Sequence, residues 1–394
     1  MSGPLAGLRI ADFSQLAQGP FSTQIMGDLG ADVIKIEPLK GDWMRHWSMG
    51  NVYLNGHGVS YLTLNRNKRS IALDLKHPKG KEAALRLIEH SDVLTENFRP
   101  GVMDRLGLGY EELHDRFPKL VYVSSSGWGQ TGPYVKRPGQ DLLAQAVSGT
   151  TFLQGTAEGP PVPTAVGVSD FVAGFHIVIG ALAGIYGRQQ TGTGQRVDVN
   201  LLDSTLHLYI QELAVYLNGG GLPQRSRAGV PSAYLGAPYG IYETKDGFIA
   251  ISMNPIGKLA ELTGVPGYEG ITETQNMERR DEIVEDFRKA FPARTTQEWL
   301  DLLLPEGIWC SPVNDFADVE NDPQVAENEM IVEWDHPEAG KVRTTGVAIK
   351  FSETPGGIFR HAPVLGEHTV ELLGEVGEFS DDEIRELQRS GAVA

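Results

Sequence analysis

The sequence is short of the residues that form covalent or metal-based cross-links. Its 394 residues include one cysteine, Cys310, which excludes an intrachain disulfide and a cluster of thiolate metal ligands. It has no HExxH pattern and no tight group of His and Asp residues. We therefore expect no bound metal.

Positive charge is also scarce. Lys and Arg number 34 against 51 Asp and Glu, so the formal net charge is −17. Such a surface argues against binding to nucleic acid or to an anionic membrane, although it leaves room for a local basic pocket. The N-terminus lacks the charged and apolar regions of a signal peptide. The longest apolar stretch, 171–187, falls short of the ~20 residues that cross a bilayer. We expect a cytoplasmic protein with a buried helix there.

Familiar nucleotide and hydrolase motifs are missing too. The first predicted turn, residues 15–20, is not a GxGxxG sequence, no Walker A motif occurs, and residues 124–127 lack the GxSxG pattern of a hydrolase. Glycine, in contrast, is abundant: 47 residues of 394, against a usual share of about 7%. Many turns and close backbone approaches are predicted.

Strand-like and helical segments alternate from the start of the chain. A strand at 8–13, a helix at 21–29 ending at Gly30 and a strand at 31–37 form a βαβ unit, which predicts an α/β fold with a parallel sheet. The alternation continues with strands at 70–75, 92–97, 120–125 and 195–199 and helices at 79–90, 140–147, 171–186 and 201–217.

The organisation changes near a glycine-rich run at 219–223. We predict a linker at 218–224 and a small domain at 225–325, which opens with a hairpin signal at Lys245-Asp246-Gly247. Residues 1–217 and 326–394 are then the two parts of a large domain. Its last helix has a capping box, Ser380 with Glu383.

Asp170 is the strongest candidate for chemistry. It directly precedes the long apolar segment, where the positive end of a helix dipole stabilises a carboxylate anion. An ionised carboxylate at the edge of an apolar environment can attack an activated acyl group. The same position equally suits a simple helix cap, and Asp141 presents the same two alternatives.

Several cations lie near predicted strand and helix ends, where phosphate sites are built. These cations are Lys76, Arg99, Arg105, Lys136 and Arg137. Together they fit a phosphorylated ligand, although each of them alone equally fits a solvated charged surface. Trp43 and Trp47 suit either a pocket wall or a core, and His176 suits a core.

Twelve short segments span nearly the whole chain: 8–12, 19–20, 29–37, 65–70, 73–76, 96–101, 127–129, 139–141, 192–195, 311–314, 322–324 and 365–368. Taken in this order, they resemble the class III CoA-transferase family, the formyl-CoA and carnitine CoA-transferase group. The resemblance implies a Rossmann-like large domain made from both chain ends, an inserted small α+β domain, and an interlocked homodimer.

The resemblance also implies an activity. Asp170 matches the family nucleophile, so the chain is expected to move CoA from an acyl-CoA to a free carboxylic acid through an aspartyl-CoA thioester. Acyl-CoA is then a substrate, and no tightly bound cofactor is implied. The positions matching the CoA site of the family are Ala17, Gln18, Leu73, Lys76, Asn97, Phe98, Arg99, Arg105 and Arg137. The cations among them suit the phosphates of CoA, and Phe98 and Leu73 suit its adenine ring. Trp47, Gln140 and Asp141 are expected near the reacting centre.

The sequence leaves two alternatives to a CoA-transferase. An α-methylacyl-CoA racemase has the same fold, but its histidine base would fall at Gln140, which cannot take up a proton, so transfer is favoured. A CoA-binding protein without catalysis is the other. Pro38 stands where formyl-CoA transferases carry an arginine, and residues 232–236 depart from their glycine-rich loop. We therefore expect an acid larger than, or different from, formate and oxalate.

Overall fold

The computed structural model describes residues 3–394, so that Met1 and Ser2, the start of the predicted large domain, lie outside it. The strands are β1 Arg9–Asp12, β2 Asp32–Glu37, β3 Tyr53–Leu54, β4 His57–Gly58, β5 Lys68–Ala72, β6 Val93–Glu96, β7 Val121–Ser126, β8 Arg196–Asn200, β9 Gly240–Glu243, β10 Phe248–Ile251, β11 Cys310–Pro312, β12 Ile331–His336 and β13 Gly340–Thr345.

The helices begin with α1 Gln18–Asp28, α2 Val59–Leu64, α3 Pro78–Glu89, α4 Val102–Leu106, α5 Tyr110–Arg116, α6 Asp141–Ser148, α7 Val168–Thr191, α8 Leu201–Leu208 and α9 Ile210–Val215. They continue with α10 Ile256–Thr263, α11 Glu273–Glu278, α12 Arg280–Ala290, α13 Thr296–Leu303, α14 Phe316–Asn321, α15 Pro323–Glu327, α16 Thr369–Glu375 and α17 Asp381–Arg389. Short 3-10 turns lie at Trp43–His46, Met49–Asn51, Thr150–Leu153 and Phe291–Ala293, and a π turn at Tyr216–Gly220.

A parallel sheet organises the larger part of the chain. Within residues 3–394 it has six strands in the order β5-β2-β1-β6-β7-β8, and every neighbouring pair is parallel. The predicted α/β fold with a parallel sheet is thereby confirmed. Counted along the chain, the strand order is 3-2-1-4-5-6, which reverses direction between β1 and β6. Ligands bind at such a reversal in open α/β sheets, beyond the carboxyl ends of the strands.

Alternate residues of each sheet strand pack against helices on opposite faces. Ile10 and Val33 belong to one cluster, which includes residues of α1 and α7. Ala11 and Ile34 belong to the other, which includes residues of α3, α16 and α17. This two-sided burial explains why the strands are continuously apolar instead of alternating.

Helix α7 fits closely against the sheet because glycine lies at its contacts. A Cβ on Gly180 would lie 2.6 Å from Val197 of β8, and a Cβ on Gly184 would lie 2.6 Å from Val121 of β7. The helix has 24 residues and is longer than predicted. Of the described helices, it alone has the length and hydropathy to cross a membrane. Its buried face lies on the sheet.

The described chain divides into two compact units. The first comprises residues 3–144, Gly167–Thr205 and Pro323–Ala394, and the second comprises Gln145–Val166 and Leu206–Asp322. These limits differ from the predicted domains at 1–217, 225–325 and 326–394: the segment 145–166 and the glycine-rich run at 219–223 both fall in the second unit. That unit has its own core and an antiparallel sheet, β11-β10-β9.

Local signals in the sequence give the expected structures. The predicted hairpin at Lys245–Gly247 joins β9 to β10 in antiparallel pairing. Ser380 and Glu383 form both hydrogen bonds of the predicted capping box at α17. Gly30 follows α1 with a φ of 97°, a conformation that glycine adopts without strain.

Candidate active site

A cavity of about 130 Å³ lies where the central sheet reverses its strand order. The loops that follow β1, β6 and β7 surround it, together with the first turn of α7. The lining residues are Leu16, Ala17, Gln18, Asn97, Phe98, Arg99, Pro100, Ser126, Gly127, Trp128, Gly129, Val135, Arg137, Gly139, Gln140, Asp170 and Leu201. The carboxyl edge of the sheet therefore brings together eight predicted site residues from distant parts of the chain: Ala17, Gln18, Asn97, Phe98, Arg99, Arg137, Gln140 and Asp170.

The cavity contains few ionisable groups. Among the described residues that line it, these groups are Asp170, Arg99 and Arg137, and no histidine, lysine or cysteine lines it. Neither arginine forms a salt bridge with an acidic side chain in residues 3–394. The cavity thus combines one carboxylate with two cations available to an anionic ligand.

Asp170 lies within the first turn of α7, which begins two residues earlier, at Val168. Burial raises the pKa of Asp170, and the neighbouring Asp141 carboxylate raises it further, to about 7. This reverses the expectation that the helix terminus would favour the anion, because burial and a like charge outweigh the dipole. A carboxylate with little solvation is a stronger nucleophile than one in water.

Asp141 caps a helix other than its own. Its Oδ1 accepts the backbone N–H groups of Ser169 at 2.7 Å and of Asp170 at 3.2 Å. Gly167, the residue that precedes α7, offers no side chain for this purpose. Asp141 therefore supplies the cap of α7 from the start of α6 and fixes the position of Asp170.

The loop after β1 carries Ala17 and Gln18 to the cavity. Leu16, just before them, has a φ of 65°, in the left-handed region that L residues seldom occupy. The hydroxyl of Ser125 on β7 donates to Gln18 Oε1 at 2.8 Å, and Gln18 is nearly buried. The Gln18 amide is consequently held at the cavity wall.

The loop after β6 carries Asn97, Phe98 and Arg99. Asn97 Oδ1 accepts the N–H of Gln15, and its Nδ2 donates to the carbonyl oxygen of Gln15, both at 2.8 Å. Both amide atoms of Asn97 are thus engaged in joining this loop to the one after β1. Phe98 packs partly against the core and also lines the cavity.

Glu96, which ends β6, was missed by the sequence reasoning. It accepts the N–H of Phe98 at 2.8 Å and the hydroxyl of Ser124. Burial raises the pKa of Glu96 to about 7, although both hydrogen bonds act against this change. The sequence signals for Glu96 were its place at the end of a predicted strand and its inclusion in the segment 96–101 that resembles the family.

Two glycines bring the two ends of the loop between β7 and α6 into contact. A Cβ on Gly139 would lie 2.4 Å from the Cα of Gly127, and the reverse is equally true. Trp128 Nε1 donates to the carbonyl oxygen of Pro138 at 3.1 Å. No other residue type fits either glycine position without movement of the backbone.

The remaining predicted site residues lie in different settings. The Arg137 guanidinium stacks 3.6 Å from the ring centroid of Tyr134. Trp47 stacks on Trp43 with 5.4 Å between ring centroids, and both are exposed. Lys76 and Arg105 are exposed and outside the cavity lining.

Leu73 does not have the setting that was expected of it. Its side chain is fully buried in the core beside the sheet, so the expected contact between this side chain and an adenine ring has no surface available. The position follows β5 and pairs with Val393 in an isolated bridge. Within residues 3–394, no group of three or more His, Cys, Asp or Glu side chains is arranged to hold a metal ion.

Comparisons with known proteins agree with this geometry. The family model described as CoA-transferase family III matches residues 5–369. A solved CAIB/BAIF family protein from Brucella suis superposes with a TM-score of 0.84 at 30% identity, covering 95% of this chain and 100% of that one. The structure of Rv3272 from Mycobacterium tuberculosis gives a TM-score of 0.80 at 29% identity, with 94% and 99% covered.

Curated relatives match over comparable lengths. The human succinyl-CoA:glutarate CoA-transferase is 35% identical over 400 residues, which cover 99% of this chain and 90% of the relative. A formyl-CoA:oxalate CoA-transferase from Streptomyces avermitilis is 33% identical over 421 residues, and the whole of both chains is covered. The predicted family and the assignment as a transferase enzyme are confirmed. The chain belongs to CoA-transferase family III.

Proposed function

We propose that this enzyme moves CoA from an acyl-CoA thioester to a free carboxylic acid, with Asp170 as the covalent nucleophile. The observation that carries the proposal is the composition of the cavity. Asp170 is the one carboxylate among its described lining residues, and the other ionisable groups there are two arginines. A single carboxylate beside cations suits nucleophilic attack on an anionic acyl carrier.

In the proposed mechanism, an Asp170 oxygen attacks the thioester carbonyl carbon and the C–S bond breaks. The products are a mixed anhydride and CoA thiolate. The thiolate then attacks the Asp170 carbonyl carbon, which forms an aspartyl-CoA thioester and releases the donor acid. The acceptor carboxylate attacks this thioester and expels CoA thiolate, which leaves a second anhydride. The thiolate then attacks the acceptor acyl carbon of that anhydride, which forms the new acyl-CoA and releases Asp170 as a free carboxylate. One thioester is exchanged for another, so no external energy source is required.

Each tetrahedral intermediate in this mechanism carries an oxyanion that must be stabilised. Donors held at fixed positions are most effective in a site of this kind. The Gln18 amide lies at the cavity wall, and Gly127 and Trp128 of the loop after β7 line the same cavity. We propose Gln18 as the main side-chain donor to the oxyanion.

We propose that the cations bind the anionic part of CoA, with Arg99 and Arg137 at the cavity and Lys76 and Arg105 further out. A cavity of about 130 Å³ is smaller than the roughly 300–1,000 Å³ of sites that enclose whole drug-sized ligands, so it suits the acyl group and thioester. Since relatives include enzymes named for succinyl-CoA, a short dicarboxylic acyl group is our preferred donor. The interlocked homodimer and the cytoplasmic location remain predictions from the family resemblance.

Covalent trapping tests this proposal. The protein is mixed with succinyl-CoA, formyl-CoA or acetyl-CoA, treated with hydroxylamine or borohydride, and analysed by intact and peptide mass spectrometry. We expect an adduct on Asp170 that is missing in Asp170→Ala and retained in Asp382→Asn, which changes an exposed carboxylate on α17. Absence of an adduct with every donor, while the substrates are turned over, would contradict the covalent mechanism.

The racemase alternative predicts a different result. It requires two groups that exchange protons at the α-carbon, and Gln140, which lines the cavity, cannot do so. Exchange of the α-proton of a 2-methylacyl-CoA for deuterium, catalysed without any adduct, would establish the racemase in place of the transferase.

A further inference from the structure

Side chains hold the loop that joins β1 to α1. The carbonyl oxygen of Ser14 accepts a hydrogen bond from Lys35 Nζ at 3.0 Å. The N–H of Leu16 lies 3.4 Å from Asp42 Oδ1. Gln15, which Asn97 holds through both of its backbone groups, lies between these two contacts. The loop continues directly into Ala17 and Gln18 at the cavity.

Lys35 and Asp42 form an ion pair beneath this loop. Lys35 Nζ lies 2.9 Å from Asp42 Oδ2, and both side chains are 0% exposed. Burial alone would lower the pKa of Lys35, but the carboxylates of Asp42, Glu37 and Asp12 together raise it above the ordinary value. Lys35 is therefore a permanently charged donor to the loop.

A buried ion pair gains little stability over a well-packed apolar pair, because desolvation offsets the attraction. The same unit contains a second example, Arg66 with Asp28, at 2.7 Å and with side chains 2% and 4% exposed. Arg66 donates to the carbonyl oxygen of Thr345, away from the loop. Unlike Arg66 and Asp28, Lys35 and Asp42 each hold a backbone group of the loop.

The conformation of Leu16 makes these contacts necessary. Its φ of 65° costs an L residue roughly 1–2 kcal/mol. Such a conformation persists only where neighbouring groups impose it. Without them, Leu16 relaxes toward negative φ, which turns the following residues away from the cavity.

We propose that Lys35 and Asp42 are positioning residues for the active site, which hold the loop in the conformation that places Ala17 and Gln18 at the cavity of Asp170. This inference rests on the proposed transferase function, because it assigns Gln18 a role in that reaction. Neither residue lines the cavity, so both act through the loop.

Steady-state kinetics with the acyl-CoA that labels the wild-type enzyme tests the inference. We expect Lys35→Met to lower kcat about 100-fold, the size of effect that a misplacement near 1 Å produces, with little change in KM because Arg99 and Arg137 are untouched. Asp42→Asn is expected to lose about 10-fold, since an amide oxygen still accepts the Leu16 N–H. Asp28→Asn, the matched control, keeps the wild-type kcat even if its Tm falls.

Three results would overturn the inference: folded Lys35→Met with wild-type kcat, folded Asp42→Asn with wild-type kcat, or an equal loss of kcat in Asp28→Asn. If Lys35→Met does not fold, Asp42→Asn decides, with hydrogen exchange of residues 13–18 as a second measurement. Faster exchange together with lower kcat supports the inference. The wild-type adduct on Asp170 reports separately on the proposed function.

Discussion

Asp141 accepts a hydrogen bond from the backbone of Asp170 and at the same time destabilises the ionised form of the Asp170 side chain. The Asp141 carboxylate accepts the Asp170 N–H at 3.2 Å, and its negative charge adds to the burial that raises the pKa of Asp170 to about 7. One contact therefore orients Asp170, the proposed nucleophile, and reduces the stability of its anion. These two effects can be separated by experiment.

Asp141→Asn removes the charge and retains an oxygen that can accept both N–H groups. We expect the pKa of Asp170 to fall, so that the acid limb of the pH profile of kcat/KM moves about one unit lower. The profile from pH 5 to 9 measures this shift, with Asp382→Asn as the control. An unmoved limb would show that the Asp141 charge does not act on the group that limits the rate.

The raised pKa of Asp170 has a consequence for folding. Its pKa is about 7 in the folded chain and 3.8 for an unperturbed aspartate, so ionisation of Asp170 destabilises the fold increasingly as pH rises from about 4 to 7. We expect Asp170→Asn to match the wild type near pH 4 and to exceed it by on the order of 2 kcal/mol at pH 8. Urea unfolding at both pH values measures this, and an equal difference at both would refute it.

Arg99 and Arg137 are expected to bind the anionic ligand before the reaction and in the transition state alike. Replacing either with Met should raise KM for acyl-CoA about 10-fold, since a hydrogen bond to a charged group contributes roughly 1.5–3 kcal/mol. The kcat should change little. Steady-state kinetics measures this, and Arg385→Met on α17 is the control. A fall in kcat at unchanged KM would instead place the arginine at the reacting atoms.

The contact between Gly127 and Gly139 predicts that activity depends strongly on the size of the side chain at either position. Gly139→Ala places a Cβ 2.4 Å from the Cα of Gly127, so the two ends of the loop between β7 and α6 must separate, and we expect kcat/KM to fall at least about 10-fold. Gly187→Ala, inside α7, meets only the end of the Gln195 side chain at 3.4 Å and should stabilise the helix by roughly 0.5–1 kcal/mol. Kinetics and Tm of the two variants measure the difference, and equal kcat/KM values would contradict the prediction.

Short-range structure could be read from the sequence because its causes are local. The hairpin at Lys245–Gly247, the capping box at Ser380 and the stop at Gly30 depend on residues within a few positions of each other. The order of the strands in the sheet depends on packing between distant segments. Accordingly, the βαβ unit at the start of the chain was predicted, whereas the membership of residues 145–166 in the second unit was not.

The candidate site likewise combines features that could be predicted from local sequence with features that depend on the tertiary structure. The chain position of Asp170 indicated its importance, but the direction of its pKa depends on burial and on Asp141, which come from the tertiary structure. Asn97 matches a ligand-binding position, yet its amide holds Gln15. Leu73 also matches such a position, and its side chain is in the core. A matching residue type indicates where a site lies, whereas the role of each atom depends on its neighbours in space.

The last helices cover one face of the central sheet, as Leu372 of α16 and Leu387 of α17 share a cluster with Ile34 and Ile71. Residue Val393 also pairs with Leu73. During synthesis on the ribosome, five of the six sheet strands emerge some 240 residues before these covering helices do. The part of this apolar sheet face that α3 does not cover is thus left exposed while most of the chain is made. We therefore expect nascent chains of this protein to bind chaperones that recognise exposed apolar strands.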